Sequence, residues 1–374
     1  MKKIYVLGAG MVGSLIAFYC SKFQDAEVTS ADINPDNLKK IKNKISQIKT
    51  VTADLSDAST IKKLVSDADI VISAVPGFMG YQTLKAIIDA GKNCVDISFF
   101  PEDPFELHEA AVNKGVKAVV DCGVAPGFSN MILGYFNKNN TVKSFECCVG
   151  GLPLTRTLPW QYKAPFSPVD VLEEYTRPAR YIKNHELVSV DPFAHIEQVE
   201  SSYAGTLDAF ISDGLRTLIT TQKVPDMVEK TLRYPGHVQL VKVLKDSGFL
   251  SKEPVSVKGT DVAPIELTSA LLFKEWKLND DDPEMTYLFA NVEFNDGKRT
   301  RVELFDERDY ETGFSSMART TGLTCVAATL LMLTGRIEGE GIIPPETLAS
   351  QKGNFRMIVR YLQSKGIYLT KRKF

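Results

Sequence analysis

The chain shows no excess of basic charge, no long apolar run, no cysteine pair at metal or redox spacing, and no internal repeat or low-complexity tract. Its 44 Lys+Arg stand against 46 Asp+Glu, a formal net charge of −2. That removes the electrostatic footprint by which proteins attract nucleic-acid phosphates. The basic end Lys371-Arg372-Lys373 is short and reads as a solvated tail. Apolar stretches are broken by glycine or charge before the roughly 20 residues a membrane-spanning helix needs. Met1-Lys2-Lys3 followed by Ile4 to Leu7 has the outline of a signal-peptide start, but the run passes straight into a glycine pattern with a different use. The six cysteines (Cys20, Cys94, Cys122, Cys147, Cys148, Cys325) include no CxxC pair and have no histidine at ligand spacing, so no metal is expected. They read as reduced thiols of a cytoplasmic protein, with vicinal Cys147 and Cys148 on a strand, one to each face.

What is present is a composition near the globular average, 44% hydrophobic and 24% charged over 374 residues, enough for about two domains. The first of them announces itself at once. Ile4-Tyr5-Val6-Leu7 reads as a buried strand, Gly8-Ala9-Gly10-Met11-Val12-Gly13 follows, and Ser14 to Phe23 has a helical pattern. A GxGxxG between a strand and a helix is the context in which the motif binds a dinucleotide. Gly8 permits the tight turn, Gly10 lets backbone N–H groups approach a pyrophosphate, and Gly13 lets the helix pack close to the strand. A second strand, Glu27 to Ala31, ends at Asp32, placed to accept hydrogen bonds from ribose hydroxyls. That carboxylate would repel a 2′-phosphate and no arginine follows directly, which favours NAD over NADP.

The alternation continues with strands at 48–53, 69–74, 93–97 and 117–120, separated by helical patterns at 57–66, 80–90 and 104–114. A doubly wound parallel sheet is the natural reading. Ligands of such sheets bind beyond the strand carboxyl ends, where Asp54-Leu55, Ala74-Val75-Pro76, Asp96, Ser98 and Asp121 fall, with Pro126 shortly after. Tyr81 and Lys85 match the Tyr-x-x-x-Lys pair of short-chain dehydrogenases, but they follow the fourth strand instead of the fifth and read as a packing aromatic beside a solvated lysine.

After Pro126-Gly127 the pattern changes. Segments at 144–149, 188–190, 196–199, 256–257, 287–294 and 300–305 alternate as antiparallel strands, the last two joined by an Asn295-Asp296-Gly297-Lys298 turn. Helices are predicted at 168–175, 208–220, 226–232 and 236–246, and the segment from 316 on is predicted helical except for 341–346. The expected organisation is a dinucleotide-binding domain over 1–126, completed by C-terminal helices 317–374, and an α+β substrate domain over 127–316.

Several longer runs carry a family resemblance. Ser73-Ala74-Val75-Pro76-Gly77-Phe78, Val95-Asp96-Ile97-Ser98-Phe99 and Asp121 to Asn130 resemble the saccharopine dehydrogenase-like superfamily. Gly150-Gly151-Leu152-Pro153, Phe166-Ser167-Pro168, Glu174 to Arg180, Ile211 to Arg216, Thr231 to His237 and 341–346 resemble its L-lysine 6-dehydrogenase branch. Pro165-Phe166 and Cys122 depart from the usual residues, and 255–300 matches poorly. The resemblance implies a Rossmann domain joined to an α+β domain with a mostly antiparallel sheet, in a homodimer or larger oligomer. It also implies NAD-dependent oxidation of the ε-amine carbon of L-lysine to allysine, which cyclises to 1-piperideine-6-carboxylate, with release of ammonium and NADH.

Such chemistry needs a group that takes a proton from the nitrogen and later activates water, and an arginine for the substrate carboxylate. The resemblance makes Arg233 the first candidate clamp, with Arg177 and Arg180 next. Arg233 has the alternative of closing a helix begun at Asp226, and the other two the alternative of surface pairing. Asp96 and Asp121 are candidates for acid–base work, or for capping the segments that follow them. His237 is the third, since an unperturbed imidazole titrates near neutrality. Tyr162 and Lys163 either line the pocket or pack. Two other readings stay open: a saccharopine or carboxynorspermidine type of enzyme in the same superfamily, and an NAD-binding sensor without turnover.

Overall fold

The structure is a computed structural model that describes residues 1–164 and 168–373. Phe166 and Ser167 of the sequence motif lie outside the described residues. The chain forms two compact units, Met1–Asn139 with Ala318–Tyr368, and Asn140–Met317 with the residues from Leu369 on.

The first unit begins with β1 (Lys2–Leu7), α1 (Met11–Cys20), β2 (Ala26–Asp32), α2 (Pro35–Lys44), β3 (Lys49–Thr52), α3 (Ala58–Leu64), β4 (Ile70–Ser73) and α4 (Gly77–Asp89). Then come β5 (Asn93–Asp96), α5 (His108–Asn113), β6 (Lys117–Val119) and α6 (Phe128–Phe136). Every strand pair is parallel, in the order β6-β5-β4-β1-β2-β3. The order reverses between β1 and β4, the switch point at which doubly wound sheets hold their ligands. Composition explains the order. All four residues of β4 are buried in mid-sheet, whereas Lys49-Thr50-Val51-Thr52 of β3 is mostly exposed at the edge. Helix starts are written locally. Asn34 accepts the Asp36 N–H ahead of Pro35, and Asp57 accepts those of Ser59 and Thr60.

The second unit holds β7 (Val142–Pro153), α7 (Pro168–Thr176), β8 (Ala179–Lys183), β9 (Glu186–Val190), β10 (Ile196–Ser201), β11 (Gly205–Ile211), α8 (Leu218–Thr221) and β12 (Asp226–Arg233). It continues with α9 (His237–Asp246), the hairpin β13 (Val255–Val257) and β14 (Thr260–Val262), α10 (Pro264–Glu275), β15 (Glu284–Phe294) and β16 (Arg299–Glu307). The sheet runs β10-β11-β12-β7-β15-β16, antiparallel except for the parallel β12–β7 pair.

Two helices expected from the sequence are strands. Of the stretch 208–220, the first part is β11 and only Leu218–Thr221 is helical; 226–232 is β12. In β12, Met227, Glu229 and Thr231 are buried while Val228 and Lys230 are half-exposed, a two-residue period. Pairing on both sides, with β7 and β11, overrides a weak helical pattern in so short a run.

The chain then returns to the first unit through α11 (Ser316–Leu333), β17 (Gly341–Ile343), α12 (Pro345–Ser350) and α13 (Asn354–Ser364). By length and composition α11 is apolar enough to cross a membrane, yet 83% of it is buried inside the protein, as befits a core helix. β17 pairs in parallel with β6, Gly341 opposite Lys117, and makes a seventh strand. The last element, β18 (Tyr368–Lys373), is a strand next to β16 where helix was expected. Ile342 joins the core of the first unit with Leu7, Val71, Leu84, Ile87 and Val120. Ile342→Ala is expected to lower stability by about 2–5 kcal/mol, read by denaturant unfolding.

Candidate active site

The glycine loop after β1 is shaped by close approach. Gly8 has φ +102°, and a Cβ there would lie 2.4 Å from the Ala74 carbonyl oxygen. A Cβ on Gly13 would lie 2.1 Å from the Gly8 oxygen, so α1 needs glycine to pack on its own loop. Gly10, the residue before α1, differs: among the described residues nothing lies within 4 Å of its Cβ position and no side chain caps the helix. Open space in front of uncapped N–H groups at the start of a ten-residue helix is what a pyrophosphate requires.

Asp32 closes the loop. One carboxylate oxygen accepts the Ala9 N–H at 2.6 Å and the other the Asn34 N–H at 2.7 Å, which leaves each a further lone pair for ribose hydroxyls. Met11 is exposed and Val12 half-buried beside the open face. After β3, Asp54 accepts the Ser56 N–H and hydroxyl, which hold its carboxyl below the usual range, and Leu55 is buried beside it. Val75 is buried and Pro76 leads into α4. Ser98 is buried, and Pro126 follows a cis peptide bond. These residues fit a dinucleotide.

Two carboxyls end neighbouring strands of the same sheet. Asp96 closes β5 fully buried; one oxygen takes the Ser98 N–H at 3.3 Å and the other has no hydrogen-bond partner among the described residues. Burial pushes its carboxyl up to about 7, with the Asp121 charge adding and the Ser73 and Ser98 hydroxyls offsetting part of the rise. Asp121 follows β6, buried, with φ +48°, a conformation that costs a non-glycine residue energy and here fixes where the carboxylate sits. Tyr81 and Lys85, by contrast, bind different acids, Glu106 and Asp89, at the surface.

The second unit carries its own polar core. Arg233, which ends β12 and not a helix, is 2% exposed. Its Nε–H donates to Tyr175 Oη at 2.9 Å, Nη1 to the Leu232 carbonyl at 2.9 Å, and Nη2 to Glu174 at 2.7 Å. The chain of bonds beyond Tyr175 has a fixed polarity. His237 Nδ1 lies 2.9 Å from the Trp160 carbonyl oxygen, which only accepts, so Nδ1 carries the proton. Nε2 is then the acceptor, and Tyr175 Oη, 3.0 Å away, donates to it. Burial holds the Tyr175 hydroxyl protonated, raised to about 12. Burial and then the Arg233 charge lower His237 to about 3, so the imidazole is neutral and does not titrate near neutrality as its sequence reading expected.

The remaining candidates are engaged as well. Arg180 forms a two-point pair with Asp213 at 2.8 and 2.9 Å, and Arg177 lies 3.7 Å from Glu173. Lys163 donates to the Glu275 carbonyl. Tyr162 is buried in a cluster with Tyr175, Trp276 and other apolar residues. Glu229 on β12 is 5% exposed, and burial, aided by Glu174 and Asp213, raises its carboxyl to about 8.

A sequence profile of the Saccharopine dehydrogenase C-terminal domain matches residues 123–367, and one of the Saccharopine dehydrogenase NADP binding domain matches 4–119. The chain belongs to the saccharopine dehydrogenase family. Within this family it is 24% identical to saccharopine dehydrogenase [NADP(+), L-glutamate-forming] of Schizosaccharomyces pombe, over 93% of this chain and 94% of that one. It is 22% identical to the mitochondrial alpha-aminoadipic semialdehyde synthase of Rattus norvegicus, where it spans 45% of the longer protein. A third relative, at 21% over 93% of each chain, is the carboxyaminopropylagmatine dehydrogenase of Synechocystis. Among solved structures, apo saccharopine dehydrogenase from Saccharomyces cerevisiae superimposes over the whole of both chains with a TM-score of 0.81 at 22% identity. Homospermidine synthase from Legionella pneumophila, in complex with NAD, gives 0.71 at 11%, over all of this chain and 91% of that one. Both show the fold.

As a saccharopine dehydrogenase family member the chain is an oxidoreductase with a nicotinamide-dinucleotide-binding domain. Sequence reasoning quoted Glu174 and Tyr175 in a family motif without giving them a role, and passed over Trp160, Trp276 and Glu229. For Glu229 the two-residue period of β12 was the available signal. Asp96 and Glu229 both keep their proton to higher pH in the folded chain than in the unfolded one. Their burial therefore favours folding fully at acid pH and progressively less as pH rises from about 4 towards 8. Thermal unfolding across that window is expected to show stability falling with pH, and Glu229→Gln to flatten the fall.

Proposed function

We propose that this chain oxidises the ε-amine carbon of L-lysine with NAD, yielding allysine, ammonium and NADH. The observation that carries the choice of substrate is charge balance in the second unit. Arg177, Arg180 and Arg233 each pair with a carboxylate of the chain, Glu173, Asp213 and Glu174. A substrate with three carboxylates, such as saccharopine, calls for cations in excess. A substrate with one carboxylate does not. The lysine-branch motifs in the sequence support the same reading.

The reaction balances as lysine ammonium, NAD and water giving aldehyde, ammonium, NADH and one proton. A nicotinamide dinucleotide, when bound, would supply the hydride acceptor. The residues that would hold it are the loop Gly8 to Gly13, Asp32 on the adenosine ribose, and the strand ends at Asp54-Leu55 and Ala74-Val75-Pro76. Asp32 with no following arginine supports NAD over NADP. Asp96 is assigned the proton: near neutrality it is poised between its two forms, with one oxygen uncommitted. Burial keeps it there, with the neighbouring Asp121 charge adding to the rise. Arg233 supplies a fixed positive charge to the substrate side, held by Glu174 and Tyr175.

A second reading, oxidation of a secondary amine, is favoured by the names of the relatives, which act on saccharopine or carboxyaminopropylagmatine. NADH formation with L-lysine, saccharopine and polyamine adducts, each with NAD and NADP, separates the two. Turnover of lysine with NAD is expected, and turnover of only the secondary amines would sink the lysine assignment. The rate is expected to rise as pH passes about 7 and Asp96 ionises. Asp96→Asn should remove that limb and lower kcat/KM by roughly 10²- to 10⁴-fold. Asp32→Ala should weaken NAD binding and relax discrimination against NADP, measured by cofactor titration.

A further inference from the structure

The second unit contains two buried donors that none of these roles uses. Tyr162 is 3% exposed and Trp276 is fully buried. Among the described residues, neither the Tyr162 hydroxyl nor the Trp276 indole nitrogen has a hydrogen-bond partner. Folded proteins seldom leave such groups unpaired without a ligand or an ordered water to complete them.

The two rings meet edge to face at 88°, their centroids 5.3 Å apart. They share a box with Trp160, Tyr175 and His237. Tyr175 and His237 direct their polar atoms to each other, to Arg233 and to the Trp160 carbonyl. The partner of Trp276 therefore comes from elsewhere, and because an indole N–H only donates, it is an acceptor.

An ammonium group does not fit the box as a cation cage, because a cation already occupies that role. The Arg233 guanidinium carbon lies 4.6 Å from the Tyr162 ring centroid and 5.6 Å from that of Tyr175. Three of the five guanidinium N–H groups go to Tyr175, Leu232 and Glu174. Glu174 balances the charge, so recognition here rests on directed donors. The group that suits them is planar, anionic and has two acceptor oxygens.

We infer that Tyr162 Oη and Trp276 Nε1, beside the guanidinium of Arg233, form a carboxylate-binding subsite that takes the carboxylate of the amino-acid substrate. The inference rests on the proposed amino-acid dehydrogenase reading, and it adds the residues that recognise the non-reacting end.

The chain has two tryptophans, Trp160 and Trp276, and both lie in this box, 5.6 Å apart between centroids. Intrinsic tryptophan emission of the full chain therefore reports on the subsite without turnover. Glutarate, L-lysine and 1,5-diaminopentane (lysine without its carboxylate) are the probes. Saturable changes with glutarate and lysine, and none with the diamine, are expected. Tyr162→Phe and Trp276→Phe should each raise the Kd for glutarate about ten- to a hundredfold, with Trp160 as the reporter in the second. Tyr162→Phe deletes only a hydroxyl, so it tests the idea even if Trp276→Phe folds poorly. An unchanged Kd with a raised melting temperature would mean the donors are simply unpaired or hydrated, and would overturn the subsite. An equal response to the diamine would overturn it too. Absence of any amine turnover, alongside glutarate binding that both substitutions weaken, would remove the proposed reaction and leave the subsite standing.

Discussion

The second unit is organised around a guanidinium taken wholly out of water. Removing a charge of that size from solvent costs several kcal/mol even after the protein relaxes, and only well-placed partners offset it. Glu174 supplies the opposite charge, Tyr175 and the Leu232 carbonyl accept further hydrogen bonds, and two aromatic faces flank the ion. Because Arg233 is always charged, the direction of every bond downstream is decided. Tyr175 must accept from it and so donates to His237, whose other nitrogen donates to Trp160. One permanent cation thus sets the rotamer of a tyrosine, the tautomer of a histidine and the position of the segment around Trp160. A residue proposed as an open clamp is also the frame that holds its surroundings still.

Each unit also keeps a carboxyl that resists ionisation. Asp96 owes this mainly to burial, with one nearby acid, and Glu229 to burial with two. The difference lies in their partners. Asp96 sits at a strand end that the doubly wound sheet reserves for ligands, with a free oxygen, whereas Glu229 lies mid-strand opposite Cys147. Similar perturbation therefore goes with different placement, and placement separates a candidate for proton transfer from a structural acid.

The first unit was legible because its signals are local. Short strands each end in, or lead within three residues to, a glycine, an acid or a proline, and α2 and α3 begin at Asn34 and Asp57. The glycine motif stood in its required context, and the loop around Gly8 and Gly13 has the close approaches that motif describes. The second unit was harder to read. β12 is fixed by β11 on one side and by the sequence-distant β7 on the other, and eight residues do not separate a two-residue from a helical period on their own. The Asp213 partner of Arg180 was invisible because it lies 33 positions further along the chain, whereas Glu173 stands one helical turn before Arg177, a spacing the sequence does show. His237 looked like a titrating group because an imidazole in isolation is one. Trp276, the neighbour of Tyr162, lies more than a hundred positions further along the chain, in the stretch where the family resemblance was weakest.

The seventh strand of the parallel sheet is supplied by residues that follow the long segment Asn140–Met317 of the other unit. Lys117 bonds the Ile337 carbonyl across 220 positions, and Gly341–Ile343 covers the open side of β6. During synthesis the dinucleotide-binding sheet thus waits, with one edge unprotected, until Asn140–Met317 of the other unit has left the ribosome. A chain cut short before β17 would carry every glycine and acid of the nucleotide loop and still expose a strand ready to pair with the wrong neighbour. In this architecture the order of manufacture and the order of completion are opposed: the sheet begun ahead of Asn140–Met317 is sealed only after it.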